Sequence, residues 1–282
     1  AVSNPSQGLR PPGFFLAPRP DTYRPQMPVK NPNSGKEYID FLENMYVNQT
    51  TQQVAAVVLE PIQGWGGTII PPDDFIPLLS DWCKEKDILL FADEVLTCMG
   101  RTGKTFAMEH YNTTPDIMTL GKGFGNGFPV TAMCLSDKYS DALEKISASS
   151  SYGGNPMACA AALACLEIME EENINERVTH LGELFNTRME KMKAEHPIIG
   201  DVRGKGCLLG IELVKDKATK EPLDIAGKDG NDDLGLVAKP LEEADLHIRV
   251  ETGENAGGVI VKDKFAAEFE IELVVEILAR SE

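Results

Sequence analysis

The sequence lacks several features that would place a protein in a membrane, outside the cell or on nucleic acid. No apolar run approaches the roughly 20 residues that a membrane-spanning helix needs, and residues 1–20 show no charged-then-apolar signal pattern. Basic residues number 27 against 44 acidic ones, and the resulting net charge of -17 repels phosphate backbones. We therefore expect a cytoplasmic protein with neither a membrane nor nucleic acid among its partners.

Cysteine and histidine are too few and too scattered to predict a metal site. The six cysteines include no C-x-x-C pair and stand mostly in apolar surroundings, and the four histidines are far apart in the chain. Cysteines of this kind are typical of reduced, buried thiols in a cytosolic protein. We expect no metal.

Strand-like and helix-like segments alternate along the chain. Short apolar runs predict four strands, within residues 54–61, 88–95, 116–123 and 131–136. Helical patterns lie between and after them, including one that begins at Asn155 and Pro156 and one over residues 174–195. This alternation is typical of an α/β fold in which helices flank a mostly parallel sheet.

A domain boundary is predicted near residue 195. Residues 1–195 then form the large domain, and residues 196–282 form a smaller C-terminal domain of α+β type. The last element predicted in this smaller domain is a helix over residues 264–281.

Charged residues stand at the ends of three successive predicted strands. Glu60 ends the first strand, Asp93 ends the second, and the third runs into Lys122, which lies in a glycine-rich segment. Ligands of open α/β sheets bind outside the carboxyl ends of the strands, and glycines let a ligand approach the backbone closely.

A lysine and an acid at this edge suit one cofactor in particular. A desolvated lysine forms imines, and an aspartate can hold a heteroaromatic nitrogen protonated. Together they suit pyridoxal phosphate, whose ring acts as an electron sink. Taken singly, Lys122 also fits a solvated loop lysine, and Asp93 a turn carboxylate.

Five segments, in this order, resemble the motifs of class III (omega-type) aminotransferases, which are pyridoxal-phosphate enzymes of fold type I. They are VVLEPIQGWGG, LLFADEVLTCMGRTG, PDIMTLGKGFGNGFPVTA, SSYGGNPMACAAALACLEI and GDVRGKGCLLGIEL. The resemblance is close over residues 54–214. It implies an enzyme that moves an amino group from an amine or amino acid to a keto acid or aldehyde. It also implies a homodimer, with residues 1–195 as the cofactor-binding domain.

The resemblance assigns roles to five residues. Lys122 matches the Schiff-base lysine, and Asp93 matches the acid that pairs with the pyridine nitrogen. Val95 matches the apolar residue packed on one ring face, and Glu60 matches the glutamate near the cofactor. Ser151 stands where the family has a hydroxyl that reaches the phosphate of the neighbouring subunit.

The chain also departs from the family pattern. The phosphate-binding Ser-Gly-x-Glu-Ala turn and the aromatic residue that stacks on the ring have no counterpart, since the SGKE at Ser34 is out of order and reads as a helix start. Trp65 and Leu96 replace residues that are often polar, and Arg249 is a weak substitute for the substrate-carboxylate arginine. Two alternatives therefore stand beside the aminotransferase. One is another reaction of this scaffold (decarboxylase, lyase or aminomutase), and the other is a non-catalytic fragment or subunit.

Overall fold

The computed structural model describes residues 12–145, 150–222, 246–250, 259–263 and 273–278. The chain divides into two units, Ala1–Asn175 and Glu176–Glu282. No helix among these described residues is long and apolar enough to cross a lipid bilayer.

The first unit is built on a four-stranded sheet with the order β1-β2-β3-β4. Its strands are β1 (Ala56–Leu59), β2 (Leu89–Asp93), β3 (Ile117–Leu120) and β4 (Ala132–Leu135). The first three run parallel, and β4 runs antiparallel to β3. All four strands predicted from apolar runs are confirmed. The parallel order brings the carboxyl ends of β1, β2 and β3 to one edge of the sheet.

Two helices, α1 (Lys36–Gln49) and α2 (Phe75–Lys86), belong to the main core of this unit. Ile76, Leu79 and Cys83 of α2 are buried in one cluster with Leu90 and Ala92 of β2. The helix α1 is held to α2 because Trp82 Nε1 donates to Glu43 Oε2 at 2.6 Å. The start of α1 at Lys36 confirms that the segment from Ser34 is a helix start.

The helix α3 (Pro156–Glu171) begins as the sequence predicts. Asn155 Oδ1 accepts a hydrogen bond from the Ala158 N–H at 3.0 Å, and Pro156 takes the first helical position. The helix packs against the short turn of 3₁₀ helix at Lys122–Phe124, yet several of its large apolar side chains are exposed. The loop that precedes α3 carries Ser151.

The second unit combines the helix α4 (Ile174–Glu195) with a second sheet. Its strands are β5 (Ile199–Lys205), β6 (Leu208–Asp216), β7 (Glu221–Pro222), β8 (Leu246–Val250), β9 (Val259–Asp263) and β10 (Leu273–Leu278). The main order is β5-β6-β10-β9-β8, and β7 pairs with β6. The apolar stripe predicted for α4 is confirmed, since Leu181, Phe185 and Met189 are buried. The division at residue 195 leaves α4 with the large domain and stays a prediction.

The helix predicted over residues 264–281 is wrong at residues 273–278, and its other residues lie outside the described part of the chain. These six residues form β10, which pairs parallel with β6 and antiparallel with β9. Val274, Val275 and Ile277 are β-branched, which favours a strand. Residues 273–278 form a mostly apolar run, and periodicity alone does not distinguish a short apolar strand from a helix segment.

A buried ion-pair network lies on β5 and β6. Arg203 donates to Glu212 Oε2 at 2.7 Å and to Asp201 Oδ2 at 3.0 Å, and the side chains of Arg203 and Glu212 are only 11% and 3% exposed. Burial by itself lowers the pKa of Arg203, but the hydrogen bonds and charges of Glu212 and Asp201 outweigh it and raise that pKa. The carboxylate of Glu212 is therefore matched to a charged partner.

We expect Arg203→Met to lower the free energy of unfolding by about 3 to 5 kcal/mol, because it leaves the Glu212 carboxylate buried without its guanidinium. Lys193→Met is the matched control. Lys193 contacts Asp201 at 3.2 Å but is 30% exposed, so we expect its loss to cost about 1 kcal/mol or less. Urea denaturation measures both. Equal losses for the two variants would contradict the special role of Arg203.

Candidate active site

The carboxyl ends of β2 and β3 bring Asp93 and Lys122 to the same edge of the sheet. Asp93 is the last residue of β2 and pairs in register with Thr119 of β3. Lys122 follows the last residue of β3, Leu120, by two positions. The adjacency of an acid and an amine, which the sequence predicts only from strand order, is therefore built into the register of two neighbouring strands.

Asp93 has one anchored oxygen and one available oxygen. Its Oδ1 accepts from the Val95 N–H at 3.1 Å and from the Thr119 hydroxyl at 3.4 Å. Its Oδ2 receives no hydrogen bond from any residue that the structure describes. The carboxylate is thus oriented by its own turn and by β3, and its second oxygen can accept a proton donor from a ligand.

Lys122 adopts an unusual backbone conformation. Its φ is +47°, in the left-handed region, where a residue other than glycine costs about 1 to 3 kcal/mol. Its Nζ makes no hydrogen bond or ion pair within the described residues. The side chain lines an open pocket of about 490 Å³ together with Gly127, Phe128, Pro129, Val130 and Thr131.

The desolvated lysine expected from the sequence is not found. Lys122 is exposed. Its neighbours Gly121 and Gly123 have no side chain to cover it, so the feature that lets a ligand approach also lets water approach.

Val95 lies beside the lysine segment. A Cβ added to Gly121 would stand 3.2 Å from Val95 Cγ1, so only glycine fits there without displacing Val95. Cys98 lies in the same turn as Val95 and Leu96, and its thiol donates to the Gly121 carbonyl at 3.6 Å. The turn after β2 therefore packs against the residue that precedes Lys122, and it presents an apolar side chain to the start of the lysine segment.

Glu60 and Ser151 lie in loops of their own, rather than at the β2 and β3 ends that carry Asp93, Val95 and Lys122. Glu60 follows β1 directly, and its Oε2 accepts from the Gly64 N–H at 3.0 Å within its own loop. Leu96 packs so closely on this loop that a Cβ on Gly64 would stand 2.1 Å from Leu96 Cδ2. Ser151 is exposed and makes no hydrogen bond within the described residues.

Two further residues named from the sequence lie on other segments of the chain. Trp65 is 64% exposed in the loop that follows Glu60. Arg249 is on β8 in the second unit, and its side chain lies outside the described part of the structure.

Glu94 is the residue that sequence reasoning overlooked. Its side chain is fully buried and accepts hydrogen bonds from the Thr97 hydroxyl, from the Ala107 N–H at 3.0 Å and from the Met108 N–H at 2.8 Å. Burial raises the pKa of this carboxyl, and the three hydrogen bonds oppose that rise. The backbone partners of Glu94 lie 13 and 14 residues further along the chain, so no local pattern in the sequence marks its role.

The ring-binding end of a pyridoxal phosphate site fits these residues. An available carboxylate oxygen on Asp93, an unpaired amine on Lys122 and the apolar Val95 lie along one sheet edge, and Lys122 also lines a pocket. These are the groups that such a ring requires on its nitrogen, on its aldehyde and against its face. The described residues include no cluster of three metal-ligating side chains. The fold is that of fold-type I pyridoxal-phosphate transaminases, and these residues suit its ring-binding part.

Comparison with known proteins gives the family. Residues 2–247 match the aminotransferase class-III family, and the chain belongs to it. This family is pyridoxal-phosphate-dependent. The resemblance found in the five motifs is therefore confirmed.

Three relatives indicate how similar the chain is to known members. It is 39% identical over 205 residues to a leucine/methionine racemase of Thermococcus litoralis, covering 72% of this chain and 46% of that one. It is 40% identical over 203 residues to an ornithine aminotransferase of Bacillus cereus, covering 70% and 51%. A pyridoxal-phosphate-bound amine transaminase from an uncultivated Pseudomonas species superposes with a TM-score of 0.73 at 33% identity, covering 82% and 53%. The chain spans about half the length of the curated relatives it matches.

Proposed function

We propose that this protein is an aminotransferase that moves an amino group from an amine or amino acid to a keto acid or aldehyde. One observation carries the proposal. Asp93, with an available Oδ2, ends β2, and Lys122, with an unpaired amine, follows the neighbouring strand β3. Relatives named as aminotransferases acting on different donors support the reaction class and leave the donor open.

Each site residue has one task in this reaction. Pyridoxal phosphate supplies an aldehyde that takes the amino nitrogen and a ring that accepts electrons. Lys122 Nζ would bind the aldehyde carbon and later move the proton from the substrate Cα. Asp93 Oδ2 would hold the proton on the ring nitrogen, and Val95 would orient the ring. Glu60 would hold the loop that borders the site through Gly64.

A homodimer completes the proposal, because the Ser151 hydroxyl makes no hydrogen bond within the part of the chain that the structure describes. Support comes from exposed apolar side chains around it, including Tyr152 at 84% and Met157 at 68%. Large exposed apolar side chains of this kind are often covered by a partner. In the dimer, the Ser151 hydroxyl would donate to the cofactor phosphate held by the neighbouring subunit.

A cytoplasmic location is also proposed. All six cysteines lie in the described part of the chain, and none forms a disulfide. Burial raises the pKa of Cys83 to about 12, so this thiol stays protonated at neutral pH. Reduced thiols are usual in the cytosol. Cys134 and Cys159 are exposed, so the expectation of buried thiols holds only for Cys83 and the other buried cysteines.

We expect Ser151→Ala to weaken pyridoxal phosphate binding by about 1 to 3 kcal/mol, the usual cost of losing a hydrogen bond to a charged group. Absorbance titration of the full chain measures this affinity. Ser150→Ala is the control, because Ser150 Oγ already accepts from the Gly153 N–H at 3.0 Å and is occupied in its own loop.

Hybrid dimers test which subunit the hydroxyl serves. A dimer of one Ser151→Ala subunit and one Lys122→Ala subunit holds one site with both an intact lysine and a serine from the other chain. Affinity at that site should return toward the wild-type value. If it stays as weak as in the Ser151→Ala homodimer, the serine does not act across the interface.

Isotope transfer tests the proposed reaction. The protein is incubated with pyridoxal phosphate, pyruvate and a donor amino acid that carries ¹⁵N on its amino group and deuterium on Cα. Appearance of ¹⁵N in alanine is the expected result. Absence of ¹⁵N transfer with a range of donors, at full cofactor loading, would overturn the proposal.

A second candidate is racemisation or another reaction of the same scaffold. It is favoured by the 39% identity to a leucine/methionine racemase. In the same experiment, loss of deuterium from Cα with retention of ¹⁵N on the original carbon skeleton would identify a racemase, and release of the carboxyl carbon would identify a decarboxylase. No isotopic change at all would indicate a non-catalytic subunit.

A further inference from the structure

The carboxylate of Glu94 joins two segments that are 13 residues apart in sequence. Its oxygens accept from the Ala107 and Met108 N–H groups, at the start of the 3₁₀ helix Ala107–Tyr111, and from the Thr97 hydroxyl in the turn after β2. The side chain is fully buried. Because burial of an ionised carboxylate is costly, such a group is tolerated only when its hydrogen bonds are well made.

The backbone of Glu94 is fixed as firmly as its side chain. Its N–H donates to the Thr119 carbonyl of β3 at 3.0 Å, and its carbonyl accepts from the Cys98 N–H at 2.9 Å. Glu94 directly follows Asp93, the last residue of β2, and its N–H continues the pairing of β2 with β3, so the two side chains leave one short stretch of backbone that Glu94 holds in place. The direction of the Asp93 carboxylate thus depends on how Glu94 is held.

The same turn reaches the lysine segment. Val95 stands against Gly121, and the Cys98 thiol donates to the Gly121 carbonyl. Both contacts come from residues within four positions of Glu94, and Gly121 immediately precedes Lys122. Movement of the turn would therefore displace the acid and the apolar ring contact relative to the amine.

We propose that Glu94 is a positioning residue for this site. By tying the Asp93–Cys98 turn to the 3₁₀ helix Ala107–Tyr111, it directs Asp93 and Val95 toward the position where Lys122 would hold a cofactor. That this alignment serves a cofactor rests on the proposed function. The alignment itself can be measured without any cofactor.

A carboxylate suits this position better than its neutral isostere. Three donors converge on Glu94, and two carboxylate oxygens satisfy them together. Glutamine has one acceptor oxygen, and its NH₂ group would face a backbone N–H. Glu94→Gln therefore keeps the volume of the side chain and removes part of its grip on the 3₁₀ helix.

Hydrogen exchange on the full chain without cofactor gives the first test. The Val95 N–H, which donates to Asp93 Oδ1 rather than to Glu94, should exchange about tenfold faster in Glu94→Gln, since it loses the support of roughly one hydrogen bond to a charged group. The Leu90 N–H, in the middle of β2, should be unchanged. Wild-type exchange at Val95 in this variant would overturn the proposal.

Glu109→Gln is the matched control. Glu109 Oε1 accepts from the Phe106 N–H at 2.8 Å beside the start of the same 3₁₀ helix, but Glu109 is exposed and makes no hydrogen bond to the turn after β2. It should leave Val95 exchange at the wild-type rate. If Glu94→Gln does not fold, Thr97→Val is used instead, because it removes one donor to Glu94. It should raise the exchange rate at Val95 by less than the tenfold expected for Glu94→Gln, and Thr97→Ser should restore the wild-type rate. Unchanged exchange in Thr97→Val would then overturn the proposal.

A double-mutant cycle separates positioning from general loss of stability. Pyridoxal phosphate affinity should fall about tenfold in Glu94→Gln, for the same loss of about one hydrogen bond. In an Asp93→Asn background the same substitution should lower affinity by clearly less than tenfold, because the part of the effect that Glu94 exerts through Asp93 is already lost and only the part through Val95 remains. Additive losses would contradict positioning through Asp93.

Failure of the proposed function would look different. If the wild-type chain binds no cofactor, or if Asp93→Asn leaves affinity unchanged, the proposed function loses its support. The exchange rate at Val95 still decides the role of Glu94 in either case.

Discussion

Pyridoxal phosphate followed by borohydride is expected to leave its stable adduct on Lys122, and Lys122→Ala is expected to abolish both this adduct and amino-group transfer. The reason is that, in the proposed function, Lys122 would supply two functions at once. Its Nζ, unpaired among the described residues, would bind the aldehyde carbon and would then move the Cα proton. Loss of a positioned general base alone costs roughly 10²- to 10⁴-fold in rate, and loss of the covalent attachment adds to that. Peptide mapping by mass spectrometry locates the adduct.

Lys104→Ala provides the control for this result. Lys104 is exposed like Lys122 but lies in the loop after the turn that follows β2, outside the pocket lining. Its replacement should leave the adduct and the transfer rate unchanged. An adduct on another lysine, with Lys122 unmodified in the wild-type protein, would refute the assignment of Lys122.

Asp93→Asn is expected to leave the adduct on Lys122 intact and to slow amino-group transfer by roughly 10²- to 10³-fold, the usual loss when one preorganised electrostatic group is removed from a reacting site. The amide can still accept from Val95 and Thr119, so the turn should keep its shape. It cannot carry the negative charge that holds a proton on the ring nitrogen. Rapid mixing with a donor amine, followed by absorbance, measures the first half of the reaction.

Asp116→Asn is the matched control for Asp93→Asn. Asp116 lies at the opposite edge of the same sheet, where its Oδ2 accepts from the Leu90 N–H at 2.9 Å. Its replacement removes one negative charge from the edge of the sheet, as Asp93→Asn does, and should leave the rate of the half-reaction unaffected. Near-normal transfer by Asp93→Asn would eliminate Asp93 as the partner of the ring nitrogen.

The secondary structure of the first unit could be predicted from local sequence because local physics decides it. Apolar runs between turn residues gave the four strands, and Asn155 with Pro156 gave the start of α3, where capping and a fixed φ act within four residues. The C-terminal strand β10 could not be predicted in this way. Its partners are β6 and β9, and pairing with distant strands leaves no local mark that separates it from a helix.

The sequence by itself determined the family, through five ordered motifs, and it predicted that Asp93 and Lys122 lie at one edge of the sheet, because parallel strands end at one edge. Only the tertiary structure decided the state of each group there. Hydrogen bonds from Val95 and Thr119 select which Asp93 oxygen is available, and the glycines beside Lys122 leave its amine exposed. The burial of Glu94 against Ala107 and Met108 joins residues that are far apart in the chain. Burial and hydrogen-bond partners depend on such long-range contacts, so no local pattern in the sequence specifies them.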